Sequence, residues 1–478
     1  MLVKRIEQQK QAVGIAVGVI EPAGRRVVVC GNLAEGDSHA VDGDTIFEIG
    51  SVTKVFTSLL LADMVNHKEV ALDDPAAKYL PEHVRMPERS GKAITLPHLS
   101  SHSSGLPSLP GNLNPKDAAN PYADYSVNDL YQFLSGYTLP RDPGSEVEYS
   151  NLGAGLLGHI LACRAGTDYE TLIRTRITEP LSMPDTAITL SSDMKQRMAT
   201  GHNAMLAPVA NWDFPTLAGA GALRSSANDI LTFLEAFLGY RESPLAPAMK
   251  AMLELRRPVG KTGFEIGLGW NILGEIVWHD GGTGGFRSFI GYDQKARVGV
   301  VALSNSFTPS GVDDIAMRIL DPKAPLADPD PLKEHAGITM DPGLLDRYPG
   351  RYQLPDRILE IMRNGDRLFA QVTAVAGKPI AGPAFEMFAE SECVFFVRAT
   401  GGRIIFETGP DCRATGLIMH RADREPTPAA GGRSAVTMTA ATLRLPKVVL
   451  RTSMPMRSSM DCIACWVNGE LRKVSPEP

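Results

Sequence analysis

The sequence predicts an α+β protein that ends in a small all-β domain. Strand-like segments lie at both ends of 13–305, with helical stretches between them, which is typical of a mixed domain whose sheet is completed by its C-terminal part. A proline-rich stretch then precedes a second β-rich segment. We expect a first domain at 1–320, a linker at 321–342, a small antiparallel β domain at 343–425 and a disordered tail at 426–478.

Each element of the first domain follows from a local pattern. Val13–Ile20 and Arg26–Cys30 are β-branched runs separated by a proline–glycine turn, so they predict two strands. In 51–66 the apolar residues recur with a helical period, which predicts a helix with one broad buried face. Between 70 and 240, helical stretches alternate with loops rich in proline and glycine. Strand character returns within 264–305.

The second domain is predicted by its turns. The segment 321–331 contains four prolines, so it can neither continue a helix nor enter a sheet and indicates a semi-rigid linker. Asn364 and Gly365 lie between two strand-like runs and form a strong hairpin signal. Similar runs follow at intervals of about ten residues. The tail, 426–478, has seven basic against three acidic residues and no sustained period, which predicts disorder.

Composition and charge limit the class of protein. The 478 residues are 44% hydrophobic and 21% charged, with a formal charge of −6 and a pI near 6.0, which argues against a nucleic-acid-binding protein. No apolar run approaches the ~18 residues of a membrane span. The first residues lack a signal-peptide core, so we expect a cytoplasmic protein as written, and a periplasmic or secreted one if a leader is missing. The sequence leaves the oligomeric state open.

Neither the cysteines nor the histidines predict a metal site. The six cysteines are scattered, which disfavours a disulfide framework, and Cys462 and Cys465 form a C-x-x-C without a second pair. His98 and His102 have the spacing of two zinc ligands but lack the glutamate of H-E-x-x-H, so we interpret them as structural residues at a helix end. The G-x-S-x-G and P-loop motifs are absent, and no G-x-G-x-x-G joins a strand to a helix near the start, which weakens the corresponding enzyme classes.

A catalytic site is indicated first by Ser51 and Lys54. A serine and a lysine three positions apart share one face of a helix, so the hydroxyl and the amine can meet. Gly50 allows a tight entry that places Ser51 at the helix N-terminus, where free N–H groups favour negative charge on an attacked carbonyl oxygen. Apolar neighbours would lower the pKa of Lys54 toward that of a usable base. Ser192 and Lys195 repeat the spacing in a polar stretch, so the spacing alone is weak evidence.

Two further motifs strengthen this interpretation. Tyr149 and Asn151 form a Tyr-x-Asn before an apolar helix; a phenol near an amine can pass protons to a leaving group, and an amide can hold a substrate carbonyl. His279 ends a predicted strand and is followed by glycines that would let a substrate backbone lie along the strand edge. Taken singly, Tyr149 would be a core tyrosine and His279 a strand-end histidine. The three motifs in this order predict an active site.

From about residue 10 to 305 the chain resembles the serine β-lactamases and penicillin-binding proteins, specifically the class C β-lactamase and esterase branch. The resemblance rests on S-x-x-K at Ser51–Lys54, on Y-x-N at Tyr149–Asn151, and on the third motif, usually K-T-G or H-x-G, at His279–Gly281. It implies a β-lactamase-like sandwich of an antiparallel sheet flanked by helices, with a helical subdomain. The segment 343–425 is similar to the lipocalin-like module often appended to such hydrolases.

The resemblance also implies a reaction. Ser51 attacks a carbonyl carbon and becomes acylated, and water later releases the acyl group. Lys54 and Tyr149 share the proton transfers, taking a proton from Ser51 and delivering one to the leaving atom. No metal and no organic cofactor is needed.

Substrate binding is implied in the same way. The backbone N–H groups of Ser51 and Gly282 would hold the oxyanion, with Gly281 in the same strand segment. Asn151 would form a hydrogen bond with the substrate's side-chain amide. His279 would lie near Tyr149 and tune its proton affinity.

Two departures from the family pattern bear on the substrate. His279 replaces the lysine typical of class C β-lactamases, and Asp280 replaces the threonine. A lysine attracts a substrate carboxylate, whereas a histidine is largely neutral at pH 7 and Asp280 would repel that group. We predict a serine hydrolase that cleaves amide bonds, in a β-lactam or a peptide, through an acyl-enzyme on Ser51. A carboxylesterase acting on short-chain esters and a D-aminopeptidase or carboxypeptidase-like peptidase are the alternatives.

The rival class is a binding protein without turnover. A penicillin-binding-like sensor would be acylated and stay so, whereas a scaffold would use 343–425 for contacts. Labelling by a fluorescent penicillin without turnover would favour the sensor, and no labelling would favour the scaffold. The presence of Ser51, Lys54 and Tyr149 favours the enzyme, with a small molecule or short peptide as its substrate.

Overall fold

The computed structural model describes residues 1–260, 262–308, 311–327, 338–353, 357–375, 378–379, 384–397, 402–409 and 413–420. The predicted tail, 426–478, lies outside these ranges, as do the C-x-x-C within it and residues 328–337 of the predicted linker. Within these ranges no helix has the length and apolar character that crossing a bilayer requires.

The α-helices lie mainly in the first 320 residues. They are α1 (Thr53–Asn66), α2 (Leu96–Ser100), α3 (Val127–Gly136), α4 (Asn151–Ala165), α5 (Tyr169–Ile173), α6 (Glu179–Leu181), α7 (Ser192–Gln196), α8 (Ala227–Phe237), α9 (Ala246–Ala251) and α10 (Asp313–Leu320). Short 3₁₀ or π-helical segments are Lys4–Gln8, Gly50–Val52, Ala76–Tyr79, Arg174–Thr178, Ala218–Ala220 and Pro342–Arg347.

The strands form two large sheets and three short pairs. In chain order they are β1 (Gly14–Glu21), β2 (Gly24–Gly31), β3 (Phe47–Glu48), β4 (Glu88–Arg89), β5 (Lys92–Ala93), β6 (Gly201–His202), β7 (Pro208–Val209), β8 (Arg224–Ser225), β9 (Arg257–Pro258), β10 (Glu265–Ile266), β11 (Asn271–Leu273), β12 (Ile276–Gly282), β13 (Arg287–Asp293), β14 (Val298–Ser304), β15 (Gly350–Gln353), β16 (Arg357–Asn364), β17 (Arg367–Val375), β18 (Lys378–Pro379), β19 (Ala384–Ala389), β20 (Val394–Val397), β21 (Gly402–Thr408) and β22 (Ala414–His420).

The first sheet is antiparallel, with the order β2-β1-β14-β13-β12-β11-β10-β9. The N-terminal hairpin joins the C-terminal strands through β1 and β14, where Ile15 lies opposite Ser304. The prediction that the C-terminal strands complete the sheet is therefore confirmed. The short pair β3–β8 lies outside this sheet and leads the chain into α1.

Helices cover both faces of this sheet and create two cores. Successive residues of a strand point to opposite faces: Val277 joins the core that contains α1 and α8, and Trp278 joins the core that contains α10. The predicted α+β sandwich is confirmed. The apolar face predicted for α1 is buried, and so is the rest of the helix: residues 53–64 are all buried, because α4, α9 and the short segment Ala218–Ala220 enclose it.

The second sheet is an antiparallel meander with the order β15-β16-β17-β19-β20-β21-β22, and β18 pairs with β17. Asn364 lies opposite Arg367 at the predicted hairpin, and Gly365 has φ +64°, the left-handed conformation that such a turn needs. This hairpin and the all-β character are confirmed. Tyr348 and Phe406 belong to the sheet's own core. The lipocalin-like resemblance of this segment stays a prediction.

Candidate active site

Ser51 lies at the beginning of the helical segment, beside the end of β12. The chain enters through Gly50, which has φ +48°; a β-carbon there would be 2.7 Å from the backbone N and O atoms of Gly282. The side-chain hydroxyl of Ser288 donates to the carbonyl of Ile49 at 2.7 Å and fixes this approach. Glycine is required at position 50 because two backbones meet there. The nucleophile candidate is thus held against the sheet by its neighbours.

Lys54 reaches three oxygen atoms with its side-chain nitrogen. Its Nζ is 2.8 Å from Ser51 Oγ, 2.8 Å from Asn151 Oδ1 and 2.7 Å from the backbone oxygen of Ala220. The side chain is 2% exposed. Burial lowers the pKa of Lys54 well below its usual value, and the negative charge of Asp280 opposes this only in part. Lys54 therefore has the environment of a neutral amine.

Tyr149 supplies the second group that contacts Ser51. Its phenol donates to Ser51 Oγ at 2.6 Å. Burial raises the pKa of Tyr149, and the charge of Asp280 raises it further, whereas the hydrogen bond with Ser51 lowers it. The phenol is therefore protonated in the resting site and acts as a donor. Lys54 Nζ lies 4.8 Å from the centre of the Tyr149 ring, so the amine and the phenol ring are direct neighbours.

The position of Tyr149 is fixed by the N-terminus of α4. Ser150 caps this helix, accepting from the N–H of Gly153 at 2.8 Å, and its hydroxyl donates to the carbonyl of Pro107 at 2.6 Å. The N–H of Ser150 donates to Nδ1 of His102 at 3.2 Å, and the His102 and Tyr149 ring centres are 4.5 Å apart. Helix capping therefore aims the Tyr149 phenol at Ser51.

His102 is a site residue whose role the sequence did not reveal. It is buried and has φ +56°, a left-handed conformation that is uncommon outside glycine. Its own carbonyl accepts from the N–H of Glu148 at 2.7 Å, so the segment leading to Tyr149 is bonded to it on both sides. Burial lowers the pKa of His102 well below its usual value, and the nearby Lys54 and His279 act in the same direction. His102 is thus a neutral packing partner of Tyr149.

The two histidines that have zinc-ligand spacing are used for structure. His98 accepts at Nδ1 from the N–H of Thr95 at 3.1 Å and caps α2, while His102 accepts from Ser150. In the ranges that the structure describes, no three His, Cys, Asp or Glu side chains are placed to hold a metal. The interpretation of His98 and His102 as structural residues fits these contacts.

Asn151 is bonded at both ends of its amide. Its Oδ1 accepts from Lys54, and its Nδ2 donates to the phenol of Tyr122 at 3.3 Å. In this arrangement Asn151 orients Lys54. The predicted hydrogen bond between Asn151 and a substrate amide stays a prediction.

The end of β12 lies alongside Ser51. β11 pairs with β12 only from Ile276 to Trp278, so among the described strands no neighbour covers this edge at 279–282. A β-carbon on Gly281 would be 2.2 Å from the carbonyl oxygen of Ile49 and 3.0 Å from the amide nitrogen of Ser51. The sequence suggested that glycine leaves room for substrate; the structure shows that Gly281 is needed because the entry to α1 packs against it.

His279 is buried on the face of β12 that points toward α1. Its Nδ1 donates to the carbonyl of Asp280 at 2.6 Å. Burial lowers the pKa of His279 to about 4, although the Asp280 charge acts in the opposite direction, so the ring is neutral at pH 7. The described hydrogen bonds of His279 do not include Tyr149, and the proposed tuning of that phenol stays a prediction.

An aromatic group adjoins Asn151, and the sequence did not indicate it. The ring of Tyr122 stacks on Phe214 with 4.4 Å between centres and lies 5.6 Å from that of Trp212. The side chain of Glu48 accepts from the N–H of Trp212 at 2.9 Å, and Arg224 donates to the carbonyl of Trp212 at 2.9 Å. These two bonds fix the backbone of Trp212 on both sides. These residues lie far apart in the chain, so no local pattern could have brought them together.

A hydroxyl that contacts a desolvated amine and a phenol, beside backbone N–H groups, can form and release an ester with an acyl group. Fold and site together define the class of the serine hydrolases. The Beta-lactamase family model matches residues 2–322, which is most of the chain and all of the site. The chain belongs to the β-lactamase family.

Relatives and solved structures agree with this assignment. The D-alanyl-D-alanine-carboxypeptidase/endopeptidase AmpH of Escherichia coli K12 is 30% identical over 336 residues, covering 64% of this chain and 85% of AmpH. A β-lactamase of the same organism is 26% identical over 364 residues, covering 66% of this chain and 90% of that protein.

Two crystal structures have the same fold. A β-lactamase/D-alanine carboxypeptidase from Yersinia pestis, complexed with citrate, superposes with a TM-score of 0.59 at 25% identity and covers 66% of this chain and 94% of its own. A class C β-lactamase from Rhodobacter sphaeroides gives 0.57 at 26% identity, with 66% and 96% covered.

Proposed function

We propose that this serine hydrolase cleaves amide bonds, in a peptide or in a β-lactam, through an acyl-enzyme on Ser51. The observation that supports this most strongly is the meeting of Ser51, Lys54 and Tyr149 at 2.6 to 2.8 Å. Two of the relatives are named as a carboxypeptidase/endopeptidase and as a β-lactamase, and both of these activities break amide bonds. A carboxylesterase is the second candidate, favoured by the neutral His279 beside the anionic Asp280.

The hydrogen bonds of Lys54 support its role as the base. A neutral amine has two N–H groups and one lone pair. The oxygens of Asn151 and Ala220 can only accept, so they take the two N–H groups, and the lone pair is left for the hydroxyl proton of Ser51. Lys54 can therefore remove this proton as Ser51 attacks the substrate carbonyl carbon.

Tyr149 then serves as the acid. The oxyanion forms next to the N–H groups of Ser51 and Gly282, which stabilise its charge. As the tetrahedral intermediate collapses, Tyr149 gives its proton to the leaving nitrogen and regains one from protonated Lys54. In the second half, water attacks the ester, Lys54 takes the water proton, and Ser51 recovers its proton when the acid product leaves.

The catalytic unit that we propose is 1–320, with 321–342 as linker and 343–425 as a separate β domain. The site residues fall within the first of these ranges, and the family match ends at 322. No described contact of the site involves β15–β22.

The test compares two serines of identical spacing. Ser51→Ala should abolish turnover of a D-alanyl-D-alanine peptide, nitrocefin and a p-nitrophenyl ester, because the nucleophile is gone. Ser192→Ala is the matched control, since Ser192 precedes Lys195 by the same three positions but is exposed on α7. Undiminished turnover in Ser51→Ala would contradict the proposal, and a loss in Ser192→Ala would show that the effect is not specific to this site.

A further inference from the structure

Tyr149 marks the side of the site on which the leaving group departs. This inference rests on the proposed function, in which Tyr149 protonates that group. The Tyr149 ring packs against the core on the α10 side of the sheet, the core that contains Trp278. Side chains two residues apart on a strand share a face. Asp280 and Gly282 therefore lie on the same side of the sheet as Trp278. The leaving group contacts these two residues and the side chains that pack over them.

An exposed aromatic ring covers Gly282. A β-carbon on Gly282 would be 2.9 Å from Cε2 of Phe307, and Phe307 is 38% exposed although most large apolar residues of this domain are buried. The guanidinium carbon of Arg287 lies over the face of the ring, 5.5 Å from its centre. The free area of Phe307 is a surface for an apolar or aromatic group.

The positive charge of Arg287 is matched within the protein. Its Nη2 donates to Oδ2 of Asp313 at 2.7 Å, at the N-terminus of α10. Burial raises the pKa of Asp313 to about 7, and the charge of Arg287 opposes this rise. At pH 8 the two side chains form an ion pair and add no net charge beside Phe307.

The other ionisable side chains near the leaving group favour a neutral or a negative form. The carboxylate of Asp280 lies close enough to Tyr149 and Lys54 to raise the pKa of each. Burial lowers the pKa of both Lys54 and His279, so the cationic forms that could oppose this charge are disfavoured. A substrate carboxylate on this side would meet the charge of Asp280, while the cation next to Phe307, Arg287, is already paired with Asp313.

We infer that Asp280 and Phe307 form a leaving-group subsite that selects apolar, uncharged or cationic leaving groups and discriminates against a free carboxylate. The substrate class is then amides whose leaving part carries no terminal carboxylate, such as a peptide bond inside a chain or a capped terminus, and esters with an aromatic alcohol. A peptide that ends in free D-alanine is a poorer substrate because its carboxylate lies beside Asp280.

The experiment uses two peptides with the same scissile bond, a blocked D-alanyl-D-alanine acid and its C-terminal amide, and the full-length protein at pH 8. We expect kcat/KM for the amide to exceed that for the acid at least tenfold. Asp280→Asn should reduce this ratio about tenfold, which corresponds to ~1.4 kcal/mol, because kcat/KM for the peptide acid should rise. Glu275→Gln, an exposed neutralisation next to the start of β12, should leave the ratio unchanged.

Phe307 is tested with a second pair, the anilide and the simple amide of the same acyl group. The wild-type protein should prefer the anilide, and Phe307→Ala should reduce that preference about fivefold, because the anilide loses its aromatic contact.

The ratios separate this inference from the proposed function. If the wild-type protein cleaves the acid as fast as the amide or faster, or if Asp280→Asn gives the same ratio as Glu275→Gln, the subsite is refuted while the hydrolase stands. If an aryl ester does not acylate Ser51, the hydrolase itself is refuted, and the inference with it. The ratio of kcat/KM for the amide and the acid is measured on the wild-type protein, so the inference can be refuted even if Asp280→Asn folds poorly.

Discussion

The role of Tyr149 as the acid predicts that its loss will separate amides from activated esters. In Tyr149→Phe the ring stays in place but the donor to Ser51 Oγ, at 2.6 Å, disappears. An amide nitrogen must be protonated before it leaves, and general acid catalysis contributes about 10²–10⁴-fold. A p-nitrophenolate leaves without a proton, so the ester loses only the hydrogen bond, roughly 0.5–1.5 kcal/mol or about tenfold at most.

The assay is kcat/KM for a p-nitroanilide and a p-nitrophenyl ester of the same acyl group. We expect about a thousandfold loss for the anilide, ~4 kcal/mol, and tenfold or less for the ester. Tyr240→Phe is the matched control: its phenol donates to the carbonyl of Arg297 at 2.8 Å, away from the site, and neither rate should change. Equal losses for the anilide and the ester in Tyr149→Phe would refute the assignment of Tyr149 as the acid.

Three further predictions follow from the geometry. Because the pKa of Lys54 is lowered, acylation should fall as pH drops through that value, well below 10.5, and Lys54→Arg should lose at least about 10³-fold at every pH. His102→Asn keeps a hydrogen-bond acceptor for the N–H of Ser150 and tolerates positive φ, so it should lower kcat about tenfold with little change in Tm. His102→Phe leaves the N–H of Ser150 unpaired, so it should cost about 1–3 kcal/mol of stability. Gly281→Ala should lose at least about 100-fold in kcat, since its methyl group would be 2.2 Å from the Ile49 carbonyl oxygen and would displace the entry to α1; wild-type kcat in this variant would contradict the close contact.

Much of the fold could be predicted because its signals are local. The β-branched runs at β1 and β2, the turn at Asn364 and Gly365 and the helical period of α1 each depend on residues near one another in the chain. The burial of the polar side of α1 could not be predicted in this way, because it depends on α4, α9 and Ala218–Ala220, which approach from elsewhere. A period in one segment records which residues are apolar, and cannot record what the fold places against the others.

In the candidate site, too, local motifs could be recognised from the sequence and contacts made by the fold could not. The serine, the amine and the phenol were recognised from their motifs, and the structure brings them together. The carbonyl of Ala220, the phenol of Tyr122 and the left-handed His102 were missed, because they act through a backbone atom, a buried hydrogen bond and a backbone dihedral angle. None of these has a signature in residue spacing. The role of Phe307 depends likewise on its position over Gly282, which only coordinates reveal.

The most direct test of the whole account is to trap the covalent intermediate. The protein is mixed with benzylpenicillin or a slowly released aryl ester, quenched in acid and digested, and the modified peptide is located by mass spectrometry. We expect one acyl group per chain, on Ser51, that is absent in Ser51→Ala and slow to form in Lys54→Arg. An acyl group on another residue, or hydrolysis of the ester that proceeds equally well in Ser51→Ala, would contradict it.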